Sequence, residues 1–218
     1  MESMAGNGGN RTLERVAAIL DAVGTSAVSA SELARRTGLS VSTTHRLALS
    51  MADYGFLSRD ADGGFRMGER FVRSALENAA APVLDELRRA TGETTQLWIR
   101  RGDERVCVLS LDGPHELRAT LPVGARLPLP AGSSGRLLAG DEAALADVQR
   151  QGWVESVGLR TPGLGSVSAP VVLDGVTIGA VCLAMPLARV QASPGEDFGN
   201  ETVAAARRIA EAMAGRLR

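Results

Sequence analysis

The sequence predicts an α+β protein in two parts, a small helical unit closed by a β-hairpin and a larger unit in which strands and helices alternate. Two periodicities carry that prediction. From Leu13 to Met51 apolar residues recur at the three- and four-residue spacing of amphipathic helices, whereas from Thr95 onward they alternate with period two, broken by turns at Arg101-Gly-Asp103 and Asp174-Gly175. Composition agrees: 218 residues, 44% hydrophobic, with 24 basic against 25 acidic residues, make a globular chain with room for one large or two small domains.

All 24 basic residues are arginine. Without lysine there can be no Schiff base, no phosphate loop ending in Gly-Lys-Ser/Thr and no kinase-type strand lysine. Anion recognition must then rest on guanidinium forks, hydroxyls and backbone amides. Cys107 and Cys182 sit inside apolar runs and read as reduced core thiols of a cytoplasmic protein. With only His45 and His115, far apart, no metal site is expected, and no cofactor. No apolar stretch approaches the roughly 18 residues of a membrane span.

Residues 1–10 are small and polar and read as a disordered leader. Leu13, Val16, Ala17 and Leu20 share a helix face that Gly24 should end. Ser29-Ala-Ser-Glu32 has capping-box spacing and opens a second helix, with Leu33 and Ala34 inward, Arg35 and Arg36 outward, and a stop at Thr37-Gly38. Ser40 can cap a third helix from Val41 to about Asp53, whose stripe is Leu47, Ala48 and Met51. Two helices joined by a short glycine-containing turn form a helix-turn-helix. The face of the third helix, Ser42, Thr43, Thr44, His45 and Arg46, offers hydroxyls, an imidazole and a guanidinium, and no acid occurs between Glu32 and Asp53. Such a face fits double-stranded DNA: hydroxyls at a helix start approach phosphate closely, and arginine bonds phosphate or a guanine edge. Phe56–Arg59 and Phe65–Met67 flank an Asp-Gly turn and read as a wing whose Arg59 and Arg66 reach sugar-phosphate. Residues 1–80 hold nine arginines and nine acids, so the argument is local charge and not an overall basic domain.

Glu69 to about Ala80 lacks Gly and Pro and reads as a connecting helix over 69–81, with Pro82 starting the next one. Beyond it come strands at Thr95–Arg100, Arg105–Leu111 and, more weakly, Leu117–Leu121. A small-residue loop then leads through Ala131-Gly-Ser-Ser into a helix, followed by a helix over 141–150, strands at Trp153–Val157, Ser166–Leu173 and Val176–Met185, and an amphipathic final helix. These elements predict a central, mainly antiparallel sheet.

In four ordered segments, Ser31–Ser40, Ser42–Leu47, Tyr54–Leu57 and Phe65–Gly68, the chain resembles the IclR family of bacterial transcriptional regulators. The second half resembles it in Leu127-Pro-Leu with Ser133-Ser-Gly-Arg136, in Pro162–Pro170 and in Ala180–Arg189. Position 44 carries Thr where many helix-turn-helix units carry Val or Ile. The resemblance implies a winged helix-turn-helix domain over 11–68, a connecting helix over 69–81 and a GAF-like α/β effector-binding domain over 82–218. It also implies a homodimer or homotetramer on a DNA operator, controlled by a small organic effector. Carried over by position, the effector pocket uses Ala119, Ser133, Ser134, Ser156, Leu164, Ser166, Cys182 and Ala184. Ser156 stands where some members place an acid, and Ala184 where some place serine. Both changes remove polar partners and point away from glyoxylate or pyruvate, toward a branched-chain amino acid or its keto acid. Within the family the wording is most similar to actinobacterial regulators of amino-acid metabolism. The competing class is a sensor or thiol enzyme that does not touch DNA. Catalysis is disfavoured because both cysteines have apolar neighbours and Gly132-Ser-Ser-Gly135 lacks the nucleophile-elbow spacing.

Overall fold

The structure, a computed structural model, describes residues 10–23 and 27–216. The leader otherwise lies outside the described residues, but Asn10 belongs to the fold. Its side-chain oxygen accepts from the amides of Thr12 at 3.0 Å and Leu13 at 3.4 Å, capping α1 (Arg11–Ala22). The buried edge of α1 is Ile19, with Val16 and Leu20 beside it, whereas Leu13 is 65% exposed and Ala17 is exposed. The predicted stripe fails there because residues 11–15 all face solvent, leaving Leu13 nothing to pack on. Gly24 lies outside the described residues; the amide of Val23 closes the helix on Ile19.

Ser29 caps α2 (Ala30–Thr37) through a bond from the Glu32 amide at 3.2 Å. Only that half of the expected capping box forms. The Glu32 carboxylate instead binds Arg35 at 2.5 Å and Arg36 at 2.8 Å, charge-assisted contacts that outcompete a bond to the cap amide. Gly38 ends α2 at φ 71°, a left-handed conformation that favours glycine. Ser40 caps α3 (Val41–Asp53), and β1 (Leu57–Arg59) pairs with β2 (Phe65–Met67) in the register Leu57↔Met67. Val28 bridges to Phe65 and gives the hairpin a third edge. Ile19, Val28, Leu33, Ala48, Met51, Leu57 and Phe65 form the core that holds helices and hairpin together.

The expected connector and the helix predicted at Pro82 are one helix, α4 (Glu69–Thr91). Pro82 removes the amide that would bond the Asn78 carbonyl, yet it is exposed, so water can satisfy that group and the helix continues. Contacts divide the chain into one unit up to Ala75 and another from Leu76.

The second unit is built on a six-stranded sheet of order β5-β4-β3-β8-β7-β6, in which every neighbouring pair is antiparallel. Its strands are β3 (Thr94–Arg101), β4 (Glu104–Leu111), β5 (Arg126–Pro128), β6 (Val154–Val157), β7 (Leu164–Leu173) and β8 (Val176–Pro186). Leu117–Leu121, expected as a strand, is irregular. That segment is instead tied down by side chains. Arg189 pairs with buried Glu93 at 2.5 Å and donates to the Leu117 carbonyl at 2.9 Å, while Thr120 bonds Asp112 at 2.7 Å.

Alternation along the strands sorts residues between two covered faces. Trp98, Cys107, Val154, Ala180 and Cys182 meet Leu137 and Leu138 of α5 (Gly132–Ala139) and Ala144 of α6 (Glu142–Gln151). On the opposite face Thr95 bonds the Leu84 carbonyl of α4, and Glu155 accepts from the Gly195 amide at the start of α7 (Pro194–Arg216). Gly195 and Gly199 of α7 lie against the indole of Trp153, where a Cβ at either position would overlap the ring.

The α2 ion pairs make stability depend on pH. Hydrogen bonds from Arg35 and then Arg36 hold the Glu32 carboxyl at about 2, below its ordinary 4.5. A carboxylate lowered in the folded state adds stability that is present above its ordinary value and lost as pH falls through the folded value. Glu32→Gln is therefore expected to destabilise the chain at neutral pH, with denaturation curves of variant and wild type converging between about pH 4.5 and 2. A difference that does not change over that range would contradict the assignment.

Candidate nucleic-acid interface and ligand cavity

The first turn of α3 contains no acid, and Ser42, His45 and Arg46 of the helix are exposed. Ser40, also exposed, organises the helix start: its hydroxyl accepts from the Thr43 amide at 3.3 Å, donates to the Thr43 hydroxyl at 2.9 Å and lies 3.2 Å from the Ser42 hydroxyl. His45 meets Phe65 edge to face, with centroids 6.3 Å apart, and so links α3 to the β1–β2 hairpin.

Thr44 does not belong to this surface. It is fully buried, and its hydroxyl donates to the Ser40 carbonyl at 3.0 Å. A threonine fits an apolar position here because the helix's own i−4 carbonyl satisfies the hydroxyl, leaving the methyl for the core.

The candidate arginines differ in what already holds them. Arg35 and Arg36 share Glu32, and Arg36 also donates to the Ala22 carbonyl at 2.9 Å. Arg66 pairs loosely with Asp60 at 3.5 Å, and Arg59 lies over the Phe65 ring at 6.0 Å while donating weakly to Gly63 at 3.5 Å. Among the described residues, Arg46 is the candidate arginine that forms no ion pair or hydrogen bond within the protein, so its guanidinium is available to a phosphate or base. The wing turn is held by Asp60, whose carboxylate accepts from the Gly64 amide at 2.7 Å.

In the second unit six of the eight predicted pocket residues, Ala119, Ser156, Leu164, Ser166, Cys182 and Ala184, line one cavity of about 40 Å³, room for roughly three waters. Ser133 and Ser134 stand behind it, wholly buried in the first turn of α5. Ser133 hydroxyl lies 2.7 Å from that of Ser166 and 2.9 Å from that of Ser168, and Ser134 accepts from Arg105. These two serines position the groups that line the cavity and do not line it themselves.

Sequence reasoning missed Gln96, Trp98 and Arg105, which supply much of the wall. By sequence Arg105 is only the start of an apolar strand, where a long charged side chain is expected to reach outward. Its signal was alternation: it shares a face with Cys107, and Cys107 faces the core. The Trp98 indole donates to Gln96 at 3.1 Å, and the Arg105 guanidinium lies 4.4 Å from the Trp98 ring centre. The lining is thus more polar than the sequence-based choice of residues implied. Burial and the neighbouring Cys182 push the Cys107 thiol up to about 12, the reverse of what a nucleophile needs. Among the described residues no cluster of side chains fits a metal ion, and no helix is long and apolar enough to cross a membrane.

These features define a class: a winged helix-turn-helix DNA-binding protein that carries a separate small-molecule domain. Comparison with known proteins leads to the same class. The IclR helix-turn-helix domain matches residues 12–61 and the C-terminal domain of bacterial IclR regulators matches residues 70–144, together more than half of the chain. The chain belongs to the IclR family; it is a transcriptional regulator and not an enzyme. It is similar to the regulator KipR of Bacillus subtilis, 31% identical over 148 residues that span 64% of this chain and 58% of KipR. It is similar to BhcR of Paracoccus denitrificans, 29% identical over 96% of this chain and 90% of BhcR. Among solved structures, an IclR-family regulator from Rhodococcus sp. superposes with a TM-score of 0.63 at 26% identity, covering 97% of each chain. An IclR homologue from Microbacterium hydrocarbonoxydans complexed with 4-hydroxybenzoate superposes with a TM-score of 0.58 at 26% identity, covering 94% of this chain and 99% of that one.

Arg46 and Thr44 make opposite predictions. Arg46→Ala is expected to weaken binding to a cognate DNA fragment by about 1–3 kcal/mol, read by fluorescence anisotropy. Thr44→Val is expected to leave binding and stability nearly unchanged, because the Ser40 carbonyl keeps its bond from the Thr44 amide. Loss of DNA binding in a folded Thr44→Val would put Thr44 at the DNA surface and contradict its assignment to the core.

Proposed function

We propose that this regulator reads an operator with α3, sets the β1–β2 wing on the flanking sugar-phosphate, and is switched by a small organic effector held in the cavity of the second unit. The observation that carries the reading is the exposed, acid-free start of α3 with Arg46 unengaged. Ser42, Thr43 and His45 surround Arg46 with short polar groups suited to backbone contact, and Arg59 and Arg66 add wing contacts. One copy of this surface offers few charged contacts, since Arg35 and Arg36 are partly neutralised by Glu32. Useful affinity therefore calls for a homodimer or homotetramer on an operator with two-fold character. The cavity supports a small effector by its mixture of hydroxyl, aromatic and guanidinium groups. The relative complexed with 4-hydroxybenzoate supports a small organic effector in this family. The likeness in wording to actinobacterial regulators of amino-acid metabolism supports an amino acid or keto acid.

The test is binding to DNA from upstream of the chain's own gene and to a shuffled fragment of equal length, measured across a salt series. The expected result is preference for the native fragment, two half-sites protected from cleavage, and an affinity that falls linearly with the logarithm of salt. Equal, salt-insensitive binding to both fragments would overturn the reading.

A further inference from the structure

The two cysteines of the second unit are both buried and free, but they differ in what surrounds them. Cys107 is shut in: its thiol donates to the Leu109 carbonyl at 3.3 Å, burial already holds that thiol at about 12, and it takes no part in the cavity wall. Cys182 lines the cavity from β8, and among the described residues its thiol has no hydrogen-bond partner. The same wall carries Arg105, which is 4% exposed. Its Nε–H is, among the described residues, the one buried side-chain nitrogen or oxygen without a hydrogen-bond partner. The sulfur of Cys182 is close enough for its charge to act on the Arg105 guanidinium, and no Asp or Glu lines the cavity to claim that guanidinium. A guanidinium stays protonated when buried. The cavity therefore holds an unengaged thiol together with a cation and an unsatisfied donor.

We propose that Cys182 is a modification site, oxidised to sulfenic acid by hydrogen peroxide, with Arg105 as the residue that positions the reaction. This goes beyond the effector reading and does not depend on it. Hydrogen peroxide suits the cavity by size, because about 40 Å³ holds roughly three waters and the peroxide is little larger than one. The sulfur attacks one peroxide oxygen, an S–O bond forms as the O–O bond breaks, and two electrons pass from sulfur to peroxide. The departing hydroxide takes the thiol proton and leaves as water. Arg105 answers the negative charge that gathers on the departing oxygen, and its free Nε–H is a donor for the oxygen left on sulfur. The product is not a disulfide. Cys182 stands opposite Gln96 on one side of β3 and Cys107 opposite Trp98 on the other. Two strand spacings, about 9.5 Å, therefore separate them, against the roughly 7 Å between Cα atoms that a disulfide spans. Sulfenic acid is the reversible first rung of thiol oxidation, so it can serve as a signal.

The test treats the native full chain with hydrogen peroxide, removes the excess with catalase and unfolds the protein in dimedone, which tags sulfenic acid. Peptide mass spectrometry then reads each cysteine. Cys182 is expected to gain the tag about tenfold faster than Cys107, or more. Cys107→Ala is expected to react as the wild type does, and Cys182→Ala to carry no tag. Arg105→Met is expected to slow tagging of Cys182 about tenfold, with Arg105→Lys recovering part of the rate. Circular dichroism checks folding, and should Arg105→Met fail to fold, the contrast between the two cysteines in the wild type decides. Equal tagging of both cysteines, or a tag on neither, overturns the site. An undiminished rate in folded Arg105→Met overturns the role of Arg105. The effector reading stands or falls separately, on binding of an organic ligand.

Discussion

The second unit is arranged around a guanidinium that, among the described residues, is buried without a counter-carboxylate. Arg105 enters from β4, lies over Trp98 of β3 and donates to Ser134 of α5, so one side chain joins two strands to the helix that covers them. That contact explains the small residues at the start of α5. A Cβ on Gly132 would come within 3.3 Å of the Arg105 guanidinium, and one on Gly135 within 2.9 Å of the Pro130 backbone. Only a glycine- and serine-rich turn lets α5 sit low enough for Ser133 to reach Ser166 and Ser168 on β7. The cavity is what remains between these close approaches and the segment that Arg189 and Glu93 tie down through Leu117.

The first unit solves a different electrostatic problem with the same residue type. Over residues 1–80 arginines and acids are equal in number, and the structure sorts the arginines by engagement. Arg35 and Arg36 are spent on Glu32 and on the end of α1, where they hold the helices in position. Arg46 is left unengaged on the exposed face of α3. A lysine-free chain thus separates paired arginines from the unengaged Arg46 by placing an acid beside some and none beside the other, which is a local matter invisible in the net charge of −1.

Much of this could be read from the sequence because the relevant signals are local. Ser40 and the stretch from Val41 to Asp53 specified α3 and its cap, and the alternation in β7 and β8 specified the buried and cavity faces. Six cavity residues were found because they lie on strands and loops whose motifs have family counterparts. What escaped depends on contacts between distant segments. Leu13 looks buried by periodicity but has no neighbour, and Thr44 looks polar but has its hydroxyl satisfied inside its own helix. Pro82 looks like a helix start, yet a solvent-facing proline can ride within a long helix. Arg105 looks like an outward strand end until the register shows it facing the same side as Cys107.

The central claim is that one chain joins a DNA-reading surface to an effector cavity, and that the two are energetically coupled. Linkage makes that claim quantitative: if an acid in the cavity changes operator affinity by some factor, the operator must change affinity for the acid by the same factor. The most direct measurement closes this cycle, with operator Kd determined without and with saturating 4-methyl-2-oxopentanoate, and the acid's Kd without and with operator. The predicted result is two equal factors of about fivefold or more. Tight binding of both ligands with each Kd unchanged by the other would contradict the account.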